Sequence, residues 1–231
     1  MTCFLFLVNA FLVYLLMPNI ERKCVKTEGK LETKRQSTTS ILSDMWDLCL
    51  VRLFLTMGIL MTRFVVPILT DRAFGPAKSG YLTSFTAASG TISAAVASIF
   101  VPAVLLKHSA VLMEIFVAIG LGVSLLFMGL SWATSPIWIV FLSMLFINCF
   151  FTQCSRILLT ELTVQRSPVE QRGTVMGTVT SLTAVSRAAC DVSIAALLNF
   201  GDLAPIYAGA ALSFMSSLIM FNVSSQKVKT D

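Results

Sequence analysis

Long apolar runs separated by short polar breaks make up nearly the whole chain. Seven such runs lie at roughly 2–17, 48–70, 80–104, 109–131, 137–160, 173–199 and 205–222. About 20 apolar residues in a helix cross the ~30 Å hydrocarbon core of a bilayer. Backbone in lipid must satisfy its own hydrogen bonds, and the ten-residue alternation of a transmembrane β-barrel is absent. The pattern therefore predicts an all-α polytopic membrane protein. The first run is short, reaching roughly 24 Å at about 1.5 Å per residue. It lacks the positive leader and small-residue cleavage site of a signal peptide, and ends in Met17-Pro18-Asn19 followed by charge. It reads as a short transmembrane helix.

The one long polar break spans 19–47. It holds Arg22, Lys23, Lys26, Lys30, Lys34 and Arg35 against Glu21, Glu28 and Glu32, with Ser37-Thr38-Thr39-Ser40 after them. That composition suits a solvated linker. Placed in the cytoplasm, it puts Lys107, Arg166, Arg172, Lys227 and Lys229 on its own side, and only Arg72 and Lys78 opposite. This is the bias of cytoplasmic loops toward positive charge. The expected organisation is a short transmembrane helix (1–18), a cytoplasmic basic linker (19–47), a six-helix bundle (48–224) and a cytoplasmic tail (225–231). Neither end carries a targeting motif, so plasma and internal membranes both stay open.

Composition narrows the function classes. Hydrophobic residues make up 56% and charged residues 13% of the 231, where soluble domains carry about a quarter charged. Mean hydropathy is +0.83. The net charge of +5 is spread over loops and forms no nucleic-acid patch. Six cysteines show neither zinc-ligand spacing nor a disulfide framework. With one histidine and no HExxH, GxSxG or Walker A motif, nothing points to an enzyme, a metal or a cofactor.

Candidate chemistry lies in the polar residues inside the runs. Arg187 and Asp191 stand four apart near the middle of 173–199 and share a helix face. An arginine at the bilayer centre costs about 2.5–3.5 kcal/mol on insertion scales, so it faces a bundle interior or a watery cavity. The pair reads either as solute binding with proton coupling or as a structural ion pair. Arg63 either lines the same cavity or snorkels outward. Asn148 and Gln153 bind solute or tie helices together. Arg52, Arg156 and Glu114 read as anchors near inner helix ends, and the small-residue stretch SGTISAAVASIF as a packing surface. In the inner segment 161–177, Ser167-Pro168-Val169-Glu170 predicts a capping box. Gly173-x-x-x-Gly177 predicts a close helix approach, and Arg172 meets lipid phosphate or a carboxylate such as Glu161.

Six long helices after a basic linker resemble the C-terminal bundle of the major facilitator superfamily. PVEQRGTVMG resembles that superfamily's inner loop between the fourth and fifth helices of a bundle. Nearer similarity, to organic-cation-transporter-like solute carriers, rests on four stretches between about residues 40 and 225. These are Trp46-Asp47-Leu48 with Val51-Arg52; Ser79-Gly80-Tyr81-Leu82-Thr83-Ser84; Arg156 with Thr160-Glu161-Leu162; and Gly173-Thr174 through Gly177, Ser181 and Thr183-Ala184-Val185 to Arg187. Asp191 departs from the pattern, since the family tends to place a proline after that arginine.

The resemblance implies a secondary transporter in which two six-helix bundles rock around a solute site near the midplane, with 2–17 corresponding to the sixth helix. It implies Arg187 and Asp191 as central groups for solute or proton, and Arg63 and Asn148 as outer candidates. Arg156, Glu161, Pro168, Arg172, Gly173 and Gly177 would form the inner gate. Expected partners are the lipid bilayer, a small solute, and either an N-terminal six-helix bundle missing from this sequence or a second copy. No cofactor and no nucleic acid are expected. The alternative is a truncated, non-transporting membrane protein that acts as a binding or assembly partner.

Overall fold

Among the described residues six helices follow one another, each long and apolar enough to cross a membrane. They are α1 (Trp46–Phe74), α2 (Pro76–Leu105), α3 (Ala110–Thr134), α4 (Trp138–Arg166), α5 (Arg172–Leu198) and α6 (Ala204–Val228). The computed structural model describes residues 45–134, 138–167 and 171–228. The short helix expected at 2–17 and the expected linker up to residue 44 lie outside the described residues.

The helices outrun the apolar runs because polar residues extend them beyond the hydrocarbon. The expected outer turn at 70–76 is mostly helix: α1 continues to Phe74, and only Gly75 breaks the path. Its φ of 76° lies in the left-handed region that glycine adopts without a steric penalty. Gly75 N–H donates to Asp71 O (2.9 Å), and Pro76 opens α2. The Ser109 hydroxyl accepts the Leu112 N–H at 3.3 Å and caps α3. The capping box expected at Ser167-Pro168-Val169-Glu170 lies, from residue 168 on, outside the described residues, and α5 itself starts at Arg172. Its N-cap is Gln171, without a side-chain cap bond, while the Ser167 hydroxyl donates backward to Thr163 O at 2.5 Å. A serine at the end of a helix can bond its own exposed carbonyls as readily as it caps the next helix.

α3 packs against α6 and α4, α1 against α6 and α5, and α2 against α4. Lipid tails are as apolar as leucine, so close contact rather than water exclusion holds such helices together. Backbone meets backbone where α1 crosses α6: a Cβ on Gly58 would stand 2.9 Å from Gly209 O. The Gly173-x-x-x-Gly177 face, expected to make such an approach, has nothing within 4 Å of either Cβ position. Small residues mark a face that can be approached closely, but not which neighbour approaches.

Two apolar clusters fill the bundle, one around Leu55, Leu121 and Leu158, the other around Val65, Leu125 and Ile206. An ion pair closes each end. Arg166 Nη1 meets Asp47 Oδ2 at 2.7 Å, and Arg72 pairs with Asp202 at the other end. Coverage is uneven: 22% of the α2 span and 17% of the α5 span are buried, against 39% to 56% for the others. The faces of α2 and α5 are thus largely open.

Candidate functional site

α1, α2 and α4 line an open cavity of about 560 Å³, within the ~300–1,000 Å³ range of small-molecule sites. Helical spacing builds each wall. α1 contributes Ile59, Thr62, Arg63 and Val66, one stripe at intervals of three and four. α4 contributes Leu145, Asn148, Cys149 and Gln153 in the same way. From α2 come Thr83, Thr86, Ala87, Gly90, Thr91 and Ala94. The small-residue stretch of α2 is therefore more than a packing surface. Ser89, Ser93 and Ala97 are buried on one face, while the adjoining face leaves room for the cavity.

Beside this cavity lies a smaller one of about 80 Å³, with Arg63 in the wall of both. Arg52 and Arg63 from α1, Arg156 from α4 and Arg187 from α5 line it, together with Thr56 and Thr183. Arg156 therefore lies within α4 rather than in a gate loop, and Arg52 lines the pocket from the second turn of α1. α4 runs on to Arg166, which leaves Arg156 about 15 Å inside the helix. Among the described residues no ion pair reaches any of the four guanidinium groups, and Arg52 Nη1 is buried without a hydrogen-bond partner. Arg52 lies within electrostatic reach of Arg156, which in turn feels Arg63 and Arg187. An unpaired arginine at the centre of a span costs about 2.5–3.5 kcal/mol on insertion scales, and is retained where it serves a function.

Comparison with family models matches residues 1–189 to the Major Facilitator Superfamily. The chain belongs to the major facilitator superfamily. This is a family of transporters and not of enzymes, and membership implies transmembrane transport of a solute. With six candidate spans, the chain is an integral multi-pass membrane protein. No curated protein and no solved structure matches it.

In this major facilitator bundle the Arg187–Asp191 ion pair does not form. Both residues are exposed, Arg187 lines the arginine pocket, and no ion pair reaches Asp191 among the described residues. Spacing of four permits a pair, but the tertiary pocket offers the guanidinium another place. Asn148 combines two roles: it lines the larger cavity, and its Nδ2 donates to Ser124 Oγ at 3.3 Å, tying α4 to α3. Gln153 Nε2 donates to Gly90 O at 3.5 Å and ties α4 to α2.

Glu114 is the residue that sequence reasoning misplaced. It is fully buried rather than an anchor at a helix end. Ser155 Oγ donates to Glu114 Oε1 at 2.7 Å, and Oε2 has no partner. Ser155 also lines the arginine pocket, so a buried carboxylate stands one hydroxyl away from four cations. A lone acid beside an apolar run was the available signal. What hid it was its position near the start of α3, where snorkelling is the usual reading.

The expected gate residues are scattered. Glu161 sits within α4 and accepts Gln165 Nε2 at 3.0 Å. Arg172, Gly173 and Gly177 lie exposed on the first turns of α5. Arg172 makes no ion pair with Glu161, and Pro168 lies outside the described residues. The ion pair at this end is Arg166 to Asp47.

Proposed function

We propose that the chain forms the C-terminal six-helix half of a secondary active transporter, which carries a small solute by alternating access. The 560 Å³ cavity between α1, α2 and α4 carries this reading. Hydroxyls, two amides and an arginine line it, as a site for a polar solute requires. The resemblance to major facilitator superfamily domain-containing protein 9 and to organic-cation-transporter-like solute carriers supports the same reading. Arg63, Asn148 and Arg187 contact the solute, and Asp191 is the candidate proton carrier. The open faces of α2 and α5, including Arg172, Gly173 and Gly177, receive the second bundle and form the inner gate with it. The linker and the tail face the cytoplasm.

Thiol labelling tests alternating access. In a variant whose only cysteine is Cys149, a membrane-impermeant maleimide is applied to right-side-out and to inside-out vesicles. Labelling from both sides is expected. Labelling from one side alone would favour a fixed binding surface, the non-transporting alternative. An antibody against residues 19–47 then sizes the native polypeptide. A band near twice 25.2 kDa places both bundles in one chain, whereas a band at 25.2 kDa requires two chains to pair.

A further inference from the structure

We infer that the pocket formed by Arg52, Arg63, Arg156 and Arg187 binds a compact oxyanion carrying two or more negative charges. This rests on the transport reading only in taking the pocket as part of the solute path. The four side chains converge from three helices on one space of about 80 Å³, room for a group a few heavy atoms across and no more. Thr56 and Thr183 stand in the same wall and add hydroxyl donors.

The carboxylates on the surrounding elements are all held elsewhere or form no ion pair with the four. On α3, Glu114 lies behind Ser155, which takes one of its oxygens. On α4, Glu161 accepts from Gln165. On α5, Asp191 forms no ion pair. On α1, Asp47 is held by Arg166 and Asp71 is exposed on the last turns. Among the described residues, therefore, no carboxylate forms an ion pair with the pocket. Four like charges within electrostatic reach of one another repel, and a multivalent anion relieves that repulsion where a univalent one leaves most of it. Guanidinium forks match the paired oxygens of phosphoryl and carboxylate groups.

Arg63 also explains how a larger molecule fits. It borders the 560 Å³ cavity as well, so an anionic head in the arginine pocket leaves its body beside Thr62, Thr86 and Asn148. The same head-group chemistry is available from a free phosphorylated or polycarboxylate solute and from a phosphoinositide lipid.

The test is thermal unfolding of the purified full chain in phosphatidylcholine nanodiscs, titrated with inorganic phosphate, citrate, chloride and tetraethylammonium. Saturable stabilisation by phosphate or citrate, but not by chloride or the cation, is expected. Arg156→Gln and Arg187→Gln should each weaken the half-saturation point about tenfold or more, since each removes charged hydrogen bonds. Lys107→Gln, in an exposed loop, should leave it unchanged. Should a glutamine variant fail to fold, Arg187→Lys keeps the charge and loses the fork, and should still bind more weakly.

A wild-type chain that responds to none of the anions overturns the site, as does equal binding by the arginine variants. A second set of nanodiscs contains phosphatidylinositol bisphosphate. Stabilisation found only there, and not displaced by phosphate, assigns the pocket to a lipid head group. Anion binding without flux in vesicles that hold the chain together with its second bundle would sink the transport reading and leave the site. Flux of a neutral or cationic solute without anion binding would do the reverse.

Discussion

Gly58 of α1 and Gly209 of α6 face each other so closely that a Cβ on either would stand 2.9 or 3.0 Å from the other's carbonyl oxygen. Backbone cannot yield there as a side-chain tip can. Gly58→Val should therefore part the two helices and cost about 1–3 kcal/mol, the usual range for overpacking, read as a lower unfolding temperature in micelles. Gly173→Ala meets open space and should be neutral or slightly stabilising. Transport is expected to suffer in Gly173→Ala if that face receives the second bundle. Equal loss of stability in both variants would contradict the assigned crossing.

Ser155→Ala removes the hydroxyl that Glu114 Oε1 accepts. A buried group left unsatisfied costs about 1–3 kcal/mol, more when charged. The double variant Ser155→Ala with Glu114→Leu removes both polar groups and should recover much of that loss. Additive losses in the double variant, measured by denaturation, would show that the two side chains are not coupled.

The Asp47–Arg166 pair is mostly buried, whereas Arg72 and Asp202 are about half exposed. A double-mutant cycle on the first should give a coupling of about 1–3 kcal/mol, in line with charged hydrogen bonds. The second should give less than about 1 kcal/mol and weaken with salt. Similar couplings at both ends would refute the difference in burial.

Asn148→Ala breaks the bond to Ser124 and should cost about 0.6 kcal/mol, the average for interhelical hydrogen bonds in a membrane. Flux that falls well beyond this stability loss assigns Asn148 to the solute. Intact flux leaves it as a tie between α4 and α3.

The fold class was legible because it follows from local quantities. Run length, charge in the breaks and the hydrogen-bond demand of lipid led to seven helices without any knowledge of contacts, of which the six in the described residues are seen, and the matched family agrees. Helix ends were less legible. At 70–76 polar residues suggested a turn, but helix needs only backbone continuity, and one glycine supplies the break. Ser167 could cap forward or bond backward, and local sequence does not decide between them.

By itself, then, the sequence determined that this chain lives in lipid and that its arginines within the spans are costly. Single residues pay that cost, so it can be read one residue at a time. Only the tertiary structure decided that Arg52, Arg63, Arg156 and Arg187 share one pocket, that Arg187 leaves Asp191 unpaired, and that Gly58 rather than Gly173 makes the close crossing. Those facts depend on the rotation of each helix about its axis and on which neighbour it meets. Both are set by packing among residues from 52 to 209, far apart along the chain.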